Sequence, residues 1–314
     1  MSCVSSIKPL GTSWISTLWE PLGKSKVMTA PTCGMDHVYP IADLAVCPKD
    51  EGIIVTVSEK IRVWSHGILQ SQLDPRETDS EVCCPFTSVA FASDSSVFGV
   101  TDIDGNCSLW DAKSLKNIET YNLSDRILYG VVFIKSSPLV FACVDETGSV
   151  FVVDRSTEQV TCAEGPSIMP ACQPTMITWL GTQFCVAFQT SGSVFIYELN
   201  SILQAASKGP TLIARVGGSS SISGISMLEP NLFVLTRDSG EVEIWKLASN
   251  KAQQVWTFKI DIGVSSLTLV NQEIFVGTPA GRVVSVDWNK ALLVGQAVKE
   301  FGPTAKNKYP ALPL

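Results

Sequence analysis

The sequence predicts an all-β protein, a β-propeller. Three observations predict it: a repeat of 41 to 48 residues, four strand-like segments in each repeat, and a glycine at the same hairpin in five of six units. The 314 residues exceed one ordinary globular core yet suit a single large closed β architecture. Apolar residues make up 45% and charged residues 17%, so the chain can bury a large core and lacks the composition of a disordered protein.

The repeat is read at its third segment: Glu59-Lys-Ile-Arg-Val-Trp64, Gly105-Asn-Cys-Ser-Leu-Trp110, Gly148-Ser-Val-Phe-Val-Val153, Gly192-Ser-Val-Phe-Ile-Tyr197, Gly240-Glu-Val-Glu-Ile-Trp245 and Gly281-Arg-Val-Val-Ser-Val286. Each places a large apolar anchor five positions after a turn residue, and the anchors Trp64, Trp110, Val153, Tyr197, Trp245 and Val286 are 46, 43, 44, 48 and 41 residues apart. The turn glycines supply the positive φ of a tight hairpin, most clearly at Asp104-Gly105.

The segment before each turn is nearly continuous in apolar residues: Ile53 to Val57, Val97 to Val100, Leu139 to Val144, Phe184 to Phe188, Leu232 to Leu235 and Ile274 to Val276. Such runs imply burial on both faces, as for a strand between neighbouring blades. The third segment alternates, with Val242 and Ile244 set against Glu241 and Glu243. An innermost strand with small residues among large ones precedes each pair, as at Thr87 to Phe91 and Ile222 to Leu228, and suits a narrow channel. A more polar fourth strand follows each anchor, for instance Asn117 to Asn122 and Gln254 to Lys259.

This arrangement resembles the WD-repeat propellers over residues 37–298, as a divergent member. Trp110-Asp111 is the signature dipeptide, and Val153-Asp154 and Val286-Asp287 keep its Asp. His37, four residues before Ile41, matches the family's structural histidine. The resemblance implies seven blades, with six as the alternative. The missing blade is expected in residues 1–36, from strands at Trp14 to Trp19 and Lys26 to Ala30, with a third strand irregular or donated by the tail around Phe301 to Tyr309. The expected organisation is one propeller domain over residues 1–298 and an extended tail over 299–314, where Pro303, Pro310 and Pro313 exclude a central strand.

Net charge is −7 and no Lys/Arg run forms a phosphate-tracking stripe, so nucleic acid is not expected as a direct partner. No secretory signal is expected in the first 25 residues, and the best apolar stretch, Ile127 to Val144, is broken by Lys135, Ser136, Ser137 and Pro138, so no membrane insertion is expected. An intracellular protein, of cytoplasm or nucleus, is the expectation. Ten cysteines contain no C-x-x-C pair, and Cys107, Cys143 and Cys185 lie within apolar strand patterns, which reads as buried reduced thiols.

Chemistry is sparse. His66 lies in the turn Ser65-His66-Gly67 and reads as a solvent-exposed turn residue. Gly217 to Gly224 lacks the Lys-Ser/Thr of a phosphate loop and reads as a flexible connection. Asp102, Asp104, Asp145, Glu146 and Asp238 read as turn-stabilising, against the alternative of an acidic ring that binds basic side chains. Trp179 and Trp288 read as core. No cofactor, metal or catalytic residue is expected.

The function expected is a non-catalytic interaction scaffold, one subunit of a multiprotein complex and not a homo-oligomer. Its candidate contact loops carry Asp74, Arg76, Glu77, Asp79, Glu81 and Lys208. Ile15 to Pro21 and Val264 to Thr278 resemble WD-repeat nucleoporins of the pore's Y-shaped complex. A reader of basic peptides at the channel mouth, and the WD subunit of an arginine methyltransferase complex, are the alternatives.

Overall fold

A computed structural model describes residues 2–3, 15–19, 25–29, 39, 41–73, 85–134, 137–164, 174–180, 183–188, 192–198, 211–218, 220–248, 251–261, 263–270, 273–280, 282–294 and 298–301. The architecture is all-β and propeller-like. The backbone groups into two compact units, Met1–Pro170 with Ser201–Pro210, and Ala171–Asn200 with Thr211–Leu314.

In the first unit β1 (Ser2–Cys3), β2 (Ile15–Trp19) and β3 (Ser25–Thr29) form a three-stranded sheet in that order. Four-stranded sheets follow: β4 (Asp43–Val46), β5 (Ile53–Val57), β6 (Ile61–Ser65) and β7 (Ile68–Leu73); then β8 (Phe86–Phe91), β9 (Val97–Asp102), β10 (Asn106–Asp111) and β11 (Asn117–Asn122); then β12 (Leu128–Ile134), β13 (Ser137–Asp145), β14 (Val150–Asp154) and β15 (Gln159–Ala163). The second unit holds β16 (Pro174–Leu180), β17 (Gln183–Phe188), β18 (Val194–Glu198) and β19 (Thr211–Val216); β20 (Ile222–Glu229), β21 (Leu232–Arg237), β22 (Glu241–Ala248) and β23 (Lys251–Lys259); and β24 (Ser266–Val270), β25 (Glu273–Gly277), β26 (Val283–Asp287) and β27 (Val298–Phe301). Every four-stranded sheet is an antiparallel meander, and each sequence anchor sits in the third strand of its own sheet.

The N-terminal sheet takes its third strand from Ser2–Cys3, a two-residue strand paired to Leu18 and Trp19. Val298–Phe301 instead pairs with β26 and completes the last sheet, so that sheet extends past residue 298. Pairing there satisfies the outer edge of β26, and Val298 to Phe301 carries no proline to prevent it. Residues 302–314 and His37 lie outside the described residues.

The apolar runs become buried second strands. All of β9 is buried, as are Val140 to Asp145 of β13 and Phe233 to Arg237 of β21. In the first unit, Val55, Val57, Ile61 and Val63 pack against Phe86, Val89, Phe98, Val100 and Trp110 of the next sheet. Cys107, Leu109, Leu128, Val131, Phe133, Phe141 and Cys143 fill the following gap between sheets. In the second unit, Val194, Ile196 and Val216 meet Ile225, Phe233 and Leu235, while Val242, Ile244 and Phe258 meet Ile274, Val276, Val284 and Trp288. Each fully buried phenylalanine in these layers is worth about 3–5 kcal/mol against truncation to alanine. Small residues on the inner strands also have a cause, since a Cβ at Gly224 would lie 2.5 Å from the Leu267 Cβ of the adjacent sheet.

One feature of register recurs. Between third and fourth strands an extra residue is inserted just before the anchor in the sheets anchored by Trp64, Trp110, Tyr197 and Trp245. The sheets anchored by Val153 and Val286 run in unbroken register. A bulge adds local twist and bends the outer strand. It therefore accompanies the aromatic anchors and not the valines.

The chain turns after β26 into a short helix, α1 (Trp288–Val294). Asp287 caps it, accepting from the Lys290 backbone N–H at 3.1 Å. Trp288 is buried, as the sequence suggests.

Candidate interaction surface

The anchors are structural. Val153 and Val286 are fully buried, and each tryptophan anchor has a partner for its indole N–H: Trp64 donates to the Thr56 hydroxyl at 2.9 Å, Trp110 to the Ser108 hydroxyl at 3.0 Å, and Trp245 to the Glu243 carboxylate at 2.8 Å. An amphipathic indole beside an apolar layer needs one such partner. The side chains of Tyr197 and Trp179 lie outside the described residues.

The turns are held from within. Asp102 accepts from the backbone N–H groups of Asp104 and Asn106 and from the Asn106 amide, so its carboxylate faces its own hairpin. Asp145 accepts from Thr147 and Ser149 and from the Ser124 hydroxyl of the strand connection. The acidic turn residues with these partners stabilise loops, the reading the residue types favoured. Glycine completes the device. Gly105 and Gly240 have φ of 81° and 102°, and a Cβ on them would lie 1.8 Å from the Ser124 carbonyl oxygen and 2.0 Å from the Ile260 carbonyl oxygen. The connection leaving each of these sheets thus docks on that sheet's own turn glycine.

The segment from Gly217 to Gly224 departs from its reading as a flexible connection. Arg237 is 3% exposed and donates to the carbonyls of Gly192 and Ser220 at 2.9 Å each and of Gly217 at 3.2 Å, and its Nε pairs with Glu243 at 2.9 Å. Glu243 is itself buried, against the alternation that set it outward, because both faces of β22 are covered and Arg237 and Trp245 satisfy its two oxygens. This site was missed by sequence reasoning; the signal available was a charge two residues before a tryptophan anchor.

Asp43, at the start of β4, accepts from the Ser88 hydroxyl at 2.7 Å and the Val89 N–H at 3.0 Å, tying its sheet to the next. Burial raises its pKa above the ordinary carboxylate value, against the lowering influence of those hydrogen bonds.

His66 is exposed in its turn, with its backbone N–H bonded to the Gly52 carbonyl at 2.7 Å. Among the described residues no group of three or more His, Cys, Asp or Glu is placed to hold a metal ion, and no helix is long and apolar enough to cross a membrane. The proposed contact residues Asp74, Arg76, Glu77, Asp79, Glu81 and Lys208 lie outside the described residues.

Among the described residues, four of the seven exposed large apolar side chains lie on outer strands, and Tyr39, Leu139 and Leu292 lie elsewhere. Ile68 of β7 is 65% exposed, Ile118 of β11 46%, Val160 of β15 48% and Val255 of β23 40%. These are fourth strands, each with one edge unpaired in its sheet. Ile118 and Val255 are the inserted residues of their bulges, which turns them out of the ladder. Compared with known proteins, the chain matches no protein-family model and no curated protein.

Proposed function

We propose that this chain is a non-catalytic interaction scaffold, a WD-repeat subunit of a multiprotein complex, with a nuclear-pore assembly as the specific setting. The observation that carries the reading is the display of β-branched apolar residues, Ile68, Ile118, Val160 and Val255, on the outer strands of sheets whose interiors are fully packed. A propeller-like fold commonly serves as a rigid platform for partners. The finer architecture proposed with it is a seven-bladed ring in which the N-terminal sheet supplies the irregular blade. The proposed location is intracellular, in cytoplasm or nucleus, and the proposed partners are other proteins, with no direct nucleic acid and no homo-oligomer. A reader of basic side chains gains less support, because Asp102 and Asp145 direct their carboxylates to their own turns.

The test is to tag the chain at native abundance, separate the extract by size, and identify co-migrating proteins by mass spectrometry. Migration within a larger assembly of constant composition supports the scaffold. Migration of the chain alone contradicts it.

A further inference from the structure

We propose that the seam between the β8–β11 and β12–β15 sheets is a docking site for a protein segment carrying one carboxylate flanked by apolar side chains, with Arg155 receiving the carboxylate. This names the partner's chemistry for the scaffold proposed above and rests on that reading.

Three exposed apolar side chains gather around one ion pair. Arg155, just past the end of β14, reaches Glu119 of β11 at 3.7 Å and so ties the two sheets together. Ile118, 46% exposed, precedes Glu119 on its strand. Leu139, 42% exposed, accepts the Arg155 backbone N–H on its carbonyl at 3.0 Å. Val160, 48% exposed, lies opposite Val153, two residues before Arg155. Outer strands of two adjacent sheets and the start of β13 thus frame a charged centre with an apolar seat.

That centre is electrostatically incomplete. Glu119 stands too far for a hydrogen bond, and among the described residues the buried Arg155 Nε has no hydrogen-bond partner. The Arg155 side chain is 18% exposed, so it is largely desolvated yet open to an incoming group. A carboxylate placed against a guanidinium shielded from water is held more strongly than one on an open surface. The acids of the two nearby turns do not fill this role: Asp111 accepts from the N–H groups of Lys113 and Ser114, and Asp154 from that of Ser156, each within its own turn. Lys116, exposed just before β11, adds positive charge, while Glu158, exposed in the turn between β14 and β15, repels a run of acidic residues. The occupant therefore carries a single carboxylate, and its apolar neighbours cover Ile118, Leu139 and Val160.

The probe is a rhodamine-labelled peptide, Gly-Leu-Val-Glu-Val-Leu-Gly, titrated with the purified full chain and followed by anisotropy beside the same peptide with glutamine in place of glutamate. The expected result is saturable binding in which the glutamate peptide binds about tenfold tighter. Arg155→Gln brings the glutamate peptide to the affinity of the glutamine peptide, whereas a merely structural role for Arg155 weakens both alike. Leu139→Ser and Val160→Ser, at exposed positions outside the packed layers, each weaken both peptides roughly threefold, and Val255→Ser, on β23 of the second unit, changes neither. Absence of saturable binding, equal binding of the two peptides, or a glutamate preference kept in Arg155→Gln overturns the proposal. The scaffold reading is judged apart from it, by size separation: if the doubly substituted Leu139→Ser, Val160→Ser chain still migrates in an assembly of unchanged composition, this site falls while the scaffold stands.

Discussion

Arg237 and Glu243 form a buried ion pair, Nε to carboxylate oxygen at 2.9 Å, with side chains 4% and 10% exposed. The guanidinium also binds three backbone carbonyls, and the second carboxylate oxygen receives the Trp245 indole N–H. Every strong group in the network is satisfied, which is the condition under which buried charge is tolerated. Removing one partner strands the other. Arg237→Ala and Glu243→Ala are each expected to cost about 3–5 kcal/mol, read from urea midpoints. Arg237→Lys should recover little, because an ammonium cannot span the Gly192, Gly217 and Ser220 carbonyls and Glu243 together. Near-neutral effects would contradict the network's role.

The turn glycines give a controlled comparison. Gly67 and Gly105 share a φ of 81°, but a Cβ at Gly67 meets nothing within 4 Å whereas one at Gly105 meets the Ser124 carbonyl at 1.8 Å. Gly67→Ala is expected to cost about 1 kcal/mol and Gly105→Ala roughly 3 kcal/mol or more. Equal losses would show that the docked connection contributes nothing beyond the backbone angle.

Trp110 is 5% exposed, lies parallel to Phe98 with ring centroids 6.4 Å apart, and donates to Ser108. Ser108→Ala leaves the indole N–H buried and unpaired, an expected loss of about 1–3 kcal/mol. Thr56→Val removes the partner of the half-buried Trp64 indole and is expected to cost less. Thermal unfolding of the two variants checks both.

The pH dependence has two opposite parts. Burial raises the pKa of Asp43, so its neutral form is favoured in the folded protein; the associated stability is present below the unfolded value of about 3.8 and is lost as pH rises through the folded pKa. Asp43→Asn should therefore gain stability relative to the unaltered chain as pH rises. Asp111 and Asp154 behave conversely. Hydrogen bonds from Ser114 and Ser156 hold their carboxyls below the ordinary range, so their contribution is present above that value and is lost as pH falls. Alanine at either position should matter less in acid than at neutral pH. Denaturant midpoints across pH test both signs.

The strands were legible in the sequence because their pattern follows local burial: Ile53 to Val57 is read as a strand and is β5, and Asn117 to Asn122 is read as a polar outer strand and is β11. Positive φ was legible at Gly105, Gly148, Gly192 and Gly240 for the same local reason. What escaped depends on partners distant in the chain. Glu243 looks outward by alternation until Arg237 covers it, and Cys107 and Cys143 look like separate small apolar residues until two sheets bring them into one buried layer. The bulges beside the aromatic anchors were hidden because register is a property of a pair of strands. Four of the exposed apolar side chains, Ile68, Ile118, Val160 and Val255, lie on outer strands, whose polar pattern gave no sign of them.

The scaffold account is tested most directly by introducing charge on those strands. Ile68→Lys, Ile118→Lys and Val160→Lys, combined in one chain expressed at native level, place charge on exposed positions outside the packed layers. The account predicts that this chain melts within about 2 °C of the unaltered protein while its co-purifying proteins fall at least tenfold by quantitative mass spectrometry. Full retention of those proteins by the folded variant would contradict it.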